Sequence, residues 1–369
     1  MSGFAQLFLS SGVTRPHHQL SRSHADDIDP LDPQQRKGLI AVSCIAAVSL
    51  LATFSLLCFL TYRFIFWKKY YQRPLRLNHY VVLVYNLALA DAQQCLGFII
   101  SLRWLDKDAV RASDPFCFLQ GVWLQIGDPM SGLFVLVIAV YTALRVMRDY
   151  HISQRLFVTV VVSLWVFGIL LFIIPIAVLG RWAWLPAVAW CWIAPGHLAL
   201  WVWTHYFWIF LTQIVTLLLY TALFIQVRRR IAECANLGGR RASLRNMQRV
   251  ASYMVIYPII YTILTVPLAA GRMASLAGNT PSITYFCVAG CLMTLSGLCD
   301  TILYTLARKQ SVLDSEPRRT SSTASDLLGS RNGVFQTGED NAIYAGTTSH
   351  VSEPMVQSDL GENILQIHY

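Results

Sequence analysis

Seven apolar stretches, each long enough to cross a bilayer as a helix, alternate with short polar segments along the chain. The first, residues 38–62, carries no charge, while residues 79–102 are interrupted by Asp91 and residues 116–144 by Asp128. Residues 156–180 form the fourth stretch, with Pro175 as a candidate kink. Between Trp182 and Val227 there is no Lys, Arg, Asp or Glu, too long a run for one helix. It divides into a Trp-rich loop to about Trp203 and a fifth span from about Thr204 to Val227. Residues 250–271, with Pro258 and Pro267, and residues 282–306, with Asp300, complete the set. The pattern predicts an all-α membrane fold, a seven-transmembrane helix bundle over residues 38–309. Residues 1–37 and 310–369 are polar and predict a flexible leading tail and a disordered trailing one.

Charge gives the bundle a direction. Only 13% of residues are charged and 55% are hydrophobic, whereas a soluble domain carries roughly 25% charge. A net charge of +9 would suit nucleic-acid binding, but the basic residues sit between the apolar stretches. Arg63, Lys68, Lys69, Arg73 and Arg76 follow span one, and Arg145, Arg148 and Arg155 follow span three. Span five is followed by Arg228, Arg229, Arg230, Arg240, Arg241, Arg245 and Arg249. The positive-inside rule then places the N-terminus outside and the C-terminus in the cytoplasm. The sequence leads us to expect no cleavable signal peptide before span one, since the apolar patch at residues 4–9 is short and lacks preceding positive charge, and no Asn-x-Ser/Thr sequon occurs. Of nine cysteines, Cys117 and Cys191 alone fall near the outer face, one oxidisable pair.

Several functions of a seven-span bundle are excluded by residue type. A retinal Schiff base needs a Lys in span seven, and residues 282–306 contain none. A membrane metallohydrolase needs clustered His and carboxylates, but the spans offer His79 near a helix end and His205. No internal repeat of the kind found in secondary transporters is visible. A fungal lipid exporter or small-molecule transporter is the alternative from another class; a receptor is the better fit.

Span two reads Asn86-Leu87-Ala88-Leu89-Ala90-Asp91, which resembles the Asn-Leu-Ala-x-Ala-Asp signature of G protein-coupled receptors. Trp190-Cys191-Trp192-Ile193 is similar to a narrower group, the slime-mould cyclic-AMP receptors with their fungal relatives, including the glucose-receptor-like proteins. Ile138-Ala139-Val140-Tyr141-Thr142, Tyr257-Pro258, Tyr261 and Pro267 support the likeness, which covers roughly residues 38–309. The short loop between spans five and six leans toward the cyclic-AMP-receptor-like branch. The chain departs from rhodopsin-like receptors in three places. Tyr141-Thr142-Ala143 stands at the depth of their Asp-Arg-Tyr, Thr265 replaces their span-six Trp, and Asp300-Thr301-Ile302-Leu303-Tyr304 replaces Asn-Pro-x-x-Tyr.

The resemblance implies a plasma-membrane receptor that performs no chemistry on its ligand, needs no cofactor or metal, and activates a heterotrimeric G protein Gα subunit upstream of cyclic AMP. It implies a disulfide between Cys117 and Cys191. It also implies a polar switch network of Asn86, Asp91, Asp128, Asp300 and Tyr304, in which Asp128 could equally touch ligand. An extracellular nutrient or small metabolite would meet Gln120, Trp123, Trp190, Trp192 and His205, with flat indole faces stacking on a ring. An interfacial aromatic belt accounts equally for most of the Trp-rich loop. A cyclic nucleotide would further need a cation such as Arg103, Arg111, Arg181 or Arg272. Arg145, Arg228, Arg229, Arg230, Arg245 and Arg249 are the expected G-protein contacts, and they also suit anionic lipid headgroups of the bilayer. Arg240-Arg241-Ala242-Ser243 and Arg318-Arg319-Thr320-Ser321 match the Arg-Arg-x-Ser pattern of cyclic-AMP-dependent kinase, with Cys234 nearby as a palmitoylation candidate.

Overall fold

The computed structural model describes residues 27–70, 74–148, 150–236 and 241–315. Seven helices among them are long and apolar enough to cross a membrane: Pro33–Ile65, His79–Lys107, Pro115–Arg145, Gln154–Leu179, Leu198–Glu233, Ile259–Leu276 and Ile283–Leu306. They pack as one helical bundle, and the chain is a multi-pass membrane protein. Span three is its centre, with 72% of its most apolar stretch buried, against 17% for span four. Span four turns Val158, Val162, Val166, Ile169 and Ile173 outward at helical spacing, the face that lipid would cover.

Span one begins at Pro33, earlier than the apolar pattern predicts. Asp32 caps it, accepting a hydrogen bond from the Gln34 backbone N–H at 2.9 Å, and Pro33 takes the first helical position. The preceding residues are packed where a flexible tail was expected. Ile28 bridges to Val110 and Asp29 pairs with Arg111 at 2.7 Å, while Arg36, in the first turn of the helix, pairs with Asp108 at 2.8 Å. Residues 1–26 and 316–369, most of the two expected tails, lie outside the described residues.

Span two ends its first helix at Ile99 and continues as Ser101–Lys107, closed by Asp108 in the left-handed region at φ 51°. Span three runs from Pro115 to Arg148 with Pro129 inside it. The Trp-rich loop is a two-stranded antiparallel hairpin, β1 (Trp184–Ala187) and β2 (Trp190–Ile193), rather than irregular chain. Its turn puts Val188 at φ 68°, a conformation usually left to Gly or Asn, so the sequence carried no turn signal. Span five opens with a helical turn, Leu198–Trp201, and then a π-helix, Val202–Tyr206. Span six belongs to a helix running from Arg241 to Leu276, and span seven is broken at Leu295.

Small residues set the helix spacing. A Cβ at Gly127 would stand 2.7 Å from the Gln94 backbone nitrogen, so spans two and three touch backbone to backbone there. A Cβ at Gly121 would meet the Trp184 ring at 2.5 Å, which lets β1 settle onto span three.

Candidate functional site

Cys117 and Cys191 are joined in a disulfide, tying β2 to the start of span three. Gln120, one helical turn further along, completes the fastening. Its amide donates to the Gly97 carbonyl at 3.0 Å and to Ser101 Oγ at 3.4 Å. Its carbonyl accepts from the Trp104 indole and the Cys191 backbone N–H, both at 2.9 Å. Gln120 therefore holds the lid, where ligand contact was expected, because its hydrogen-bonding capacity is taken up inside the protein. Trp123 is half-buried and also stands outside the cavity lining.

Beneath the hairpin lies a cavity of about 10 Å³, room for about one water. Asp128, Trp190, Trp192, His205, Tyr206 and Arg272 line it together with apolar side chains. The structure thus brings together four residues singled out in the sequence: Asp128, Trp190, Trp192 and His205. Arg272, set among the loop cations from its place at the end of span six, is 2% exposed and forms part of the wall. Its guanidinium lies 4.7 Å from the Phe286 ring centroid, 5.4 Å from Trp192 and 5.6 Å from Trp190. One N–H reaches the Ala187 carbonyl at 3.0 Å. Trp192 packs in turn on Trp201, His205 and Tyr206, with centroids 4.8 to 5.2 Å apart.

Two helix irregularities aim the polar wall. Pro175 has no N–H to give the Leu171 carbonyl, and the Gln125 side chain supplies one at 3.2 Å. The same amide donates to the Thr204 carbonyl, inside the π-helix, at 2.8 Å. The Gln125 carbonyl accepts from His205 Nδ1 at 3.0 Å. His205 Nε2 consequently points at Asp128 Oδ2, 3.6 Å away. The extra residue in the π turn swings His205 and Tyr206 inward, a device that recurs at functional sites.

Below the cavity the polar side chains form a zipper between antiparallel spans. Asp91 accepts from Ser131 Oγ at 2.7 Å, and Gln94 donates to Asp128 at 2.9 Å. Residues three apart on each helix face each other, so one turn of span two reads one turn of span three. Ser296, at the break in span seven, donates to Gln94 Oε1 at 2.9 Å and brings in a third helix. The Asp300 carboxyl stands beside Asp91. Asn86 points elsewhere: it donates to the Val82 carbonyl at 2.7 Å and accepts the Trp165 indole N–H at 2.8 Å, fixing span four. Tyr304 is buried in the apolar cluster around Leu83 and Phe134. Gln94, Ser131 and Ser296 were missing from the expected network; the signal for Gln94 and Ser131 was their three-residue spacing from Asp91 and Asp128, and Ser296 stands four residues before Asp300.

At the opposite end, Arg228 and Arg229 are exposed and Arg230 is half-buried. Arg145 is buried at 8% exposure and contacts His151, which takes it out of the accessible set of expected G-protein contacts. The side chains of Cys234, Ser243, Arg245 and Arg249 lie outside the described residues, as does Ser321. No group of three or more His, Cys, Asp or Glu suited to a metal ion occurs among the described residues.

Residues 241–311, spans six and seven with the approach to them, match the family model described as "G protein-coupled glucose receptor regulating Gpa2 C-term". No curated protein matches the chain. The match is to a glucose-receptor model although the loop before span six is short, so loop length does not mark the branch here. Seven candidate spans, a disulfide-tied lid and that match together fit the glucose-receptor-like group of fungal G protein-coupled receptors, membrane receptors rather than enzymes.

Proposed function

We propose that this chain is a plasma-membrane receptor that senses an extracellular nutrient or small metabolite and activates a heterotrimeric G protein upstream of cyclic AMP. The disulfide end is the outside and the arginine end the cytoplasm. The observation that carries the reading is the continuity between the lidded cavity and the polar zipper. Asp128 belongs to both, lining the cavity and accepting from Gln94, which reaches Ser296 on span seven. A ligand that draws the Asp128 carboxylate toward the cavity pulls on the hydrogen bond it accepts from Gln94. Spans two, three and seven then re-register, and the Asp91 and Asp300 pair lies next in line. Movement of spans five and six at the other end opens a surface to Gα, with Arg228 and Arg229 as its cationic edge.

The family description names Gpa2, a G protein α subunit, as what its members regulate, which supports Gα as the partner. Cyclic-AMP-dependent kinase acting at Ser243 and Ser321 would place negative charge among the arginines and weaken that docking. The decisive experiment is nucleotide exchange on purified Gα by the full-length receptor in lipid, with and without Asp91→Asn. Exchange that depends on the receptor and falls in the variant, at unchanged receptor folding, is the expected result. Equal exchange by variant and wild type would remove the zipper from the mechanism, and no exchange at all would remove the receptor reading.

A further inference from the structure

Spans five and six are fastened to each other by a buried carboxamide. Gln213, 4% exposed on span five, lies between Thr262 and Thr265, which stand one turn apart on span six. Its Nε2 donates to the Thr262 hydroxyl, and its Oε1 accepts from Thr265 Oγ1 at 3.4 Å. Thr265 has one hydroxyl proton and a nearer acceptor, the Tyr261 carbonyl of its own helix at 2.8 Å. The hold on Gln213 from that side is therefore weak, and it comes from a residue that lines the cavity. Span three closes in behind: a Cβ at Gly132 would stand 2.8 Å from Tyr261 Oη and 2.9 Å from Thr212 Oγ1.

Toward the disulfide end, span six is pinned. Arg272 reaches the Ala187 carbonyl at 3.0 Å, and Tyr285 on span seven donates to the Pro267 carbonyl at 2.6 Å. Pro267 has no N–H for the Ile263 carbonyl, which leaves the helix a weak point beside the clasp. Toward the arginine end, one turn along span five, Thr216 is 0% exposed and its hydroxyl has no partner among the described residues. Gln213 and Thr216 are three residues apart on one helix, with Cβ atoms roughly 5–6 Å from each other, so the carboxamide can serve either side. A buried hydroxyl left unpaired asks for an explanation, and a second position of Gln213 supplies one.

Resting on the receptor reading above, we infer that Gln213 is a positioning residue with two settings. Across the interface, it ties span six to span five and keeps the receptor silent. Turned along its own helix to Thr216, it releases Thr262 and lets the inner part of span six swing from Pro267 to admit Gα. Thr265 links that choice to the cavity, because a Thr265 hydroxyl drawn toward an occupant gives up Gln213. Such a carboxamide is a bistable element that moves no charge through the bilayer.

The test is Gα exchange by purified full-length receptor in lipid, in buffer alone, read beside thermal melting of the same preparation. Thr262→Val removes the clasp and should raise basal exchange by about fivefold or more, the low end of coupling between two sites. Thr262→Ser keeps the hydroxyl and should behave as wild type. Thr216→Val removes the second setting and should lower exchange, while melting higher because an unpaired buried hydroxyl is gone. In a Gln213→Met background neither valine should move exchange, since both act through that carboxamide. The two valine variants change little more than a hydroxyl, so their opposite signs stand as a test even if Gln213→Met fails to fold. Threonines with a purely structural role would shift melting and leave exchange where it was. Wild-type exchange in either valine variant therefore overturns the inference, as do a Thr262→Ser variant as active as Thr262→Val and effects that persist in Gln213→Met. If neither wild type nor any variant promotes exchange, the parent reading falls instead.

Discussion

At the disulfide end, Trp104, Trp184, Trp190 and Arg272 are each 2% exposed or less, and Trp104 and Arg272 give hydrogen bonds to Gln120 and to the Ala187 carbonyl. Gln120 alone satisfies four protein groups. At the arginine end, Arg228 and Arg229 are exposed, and the small buried cluster between spans three and five is built from Ala139, Ala143, Tyr220, Leu223, Val227 and Ile231. One end is stapled by a covalent bond, a hairpin and a saturated amide; the other is held by apolar contact between helices. A bundle built this way is stiff at the disulfide end and more compliant at the arginine end, the contrast that the proposed two-state receptor requires.

The strongest way to break this contrast is to force apart the two helices that both ends share. Gly127→Leu should abolish folded receptor, because its Cβ would lie 2.7 Å from backbone that cannot turn aside. Surface yield by flow cytometry and monodispersity in detergent measure it; a normal yield would mean that spans two and three are more loosely packed than described. Next in size is the disulfide. Cys117→Ser should lower stability by about 2–5 kcal/mol, the usual cost of removing a native bridge. Thermal melting of solubilised receptor reads this, and Cys191→Ser should match it without an additive loss in the double variant.

The contrast also explains what the sequence made legible. Hydrophobic runs between basic loops located all seven spans, since bilayer thickness constrains them strongly. Asp128, Trp190, Trp192 and His205 were legible as residue types that are costly or informative in a membrane. The hairpin was not, because its turn uses Val188 at positive φ in place of a Gly or Asn. The π-helix was not, because no local residue marks it; it is paired through space with the carbonyl freed by Pro175. Arg272 was grouped with loop cations because a residue near a span end is normally exposed, and only the folded hairpin covers it. Gln94 and Ser131 were legible in principle from their spacing, but uncharged residues drew no attention beside two acids.

A smaller loss should follow from Gln120→Leu. The change keeps the volume but strands the Trp104 indole, the Cys191 N–H and the Gly97 carbonyl, at about 1–3 kcal/mol for a buried group left unpaired. The disulfide should still form, since Cys117 and Cys191 remain in place. Melting should drop by less than in Cys117→Ser, and a drop of equal size would mean that Gln120 and the bridge act as one unit.

The arginine end should give the least effect on stability and a clear one on coupling. Replacing Arg228, Arg229 and Arg230 together by Gln removes exposed or half-exposed charge from the end of a helix, with no ion pair formed by the three among the described residues. Surface substitutions of this kind change stability within about 0.5 kcal/mol. Association with an acidic partner surface is different, because exposed charges steer encounter and are screened over about 8 Å at physiological salt. The variant should therefore melt like wild type and yet activate Gα several-fold more slowly, with the deficit shrinking as salt is raised. The two measurements separate the candidate roles of these residues. If exchange is unchanged at low salt, the arginines orient the bundle in the bilayer and do not meet Gα; if melting falls as well, the arginine end is more tightly built than its exposed side chains imply.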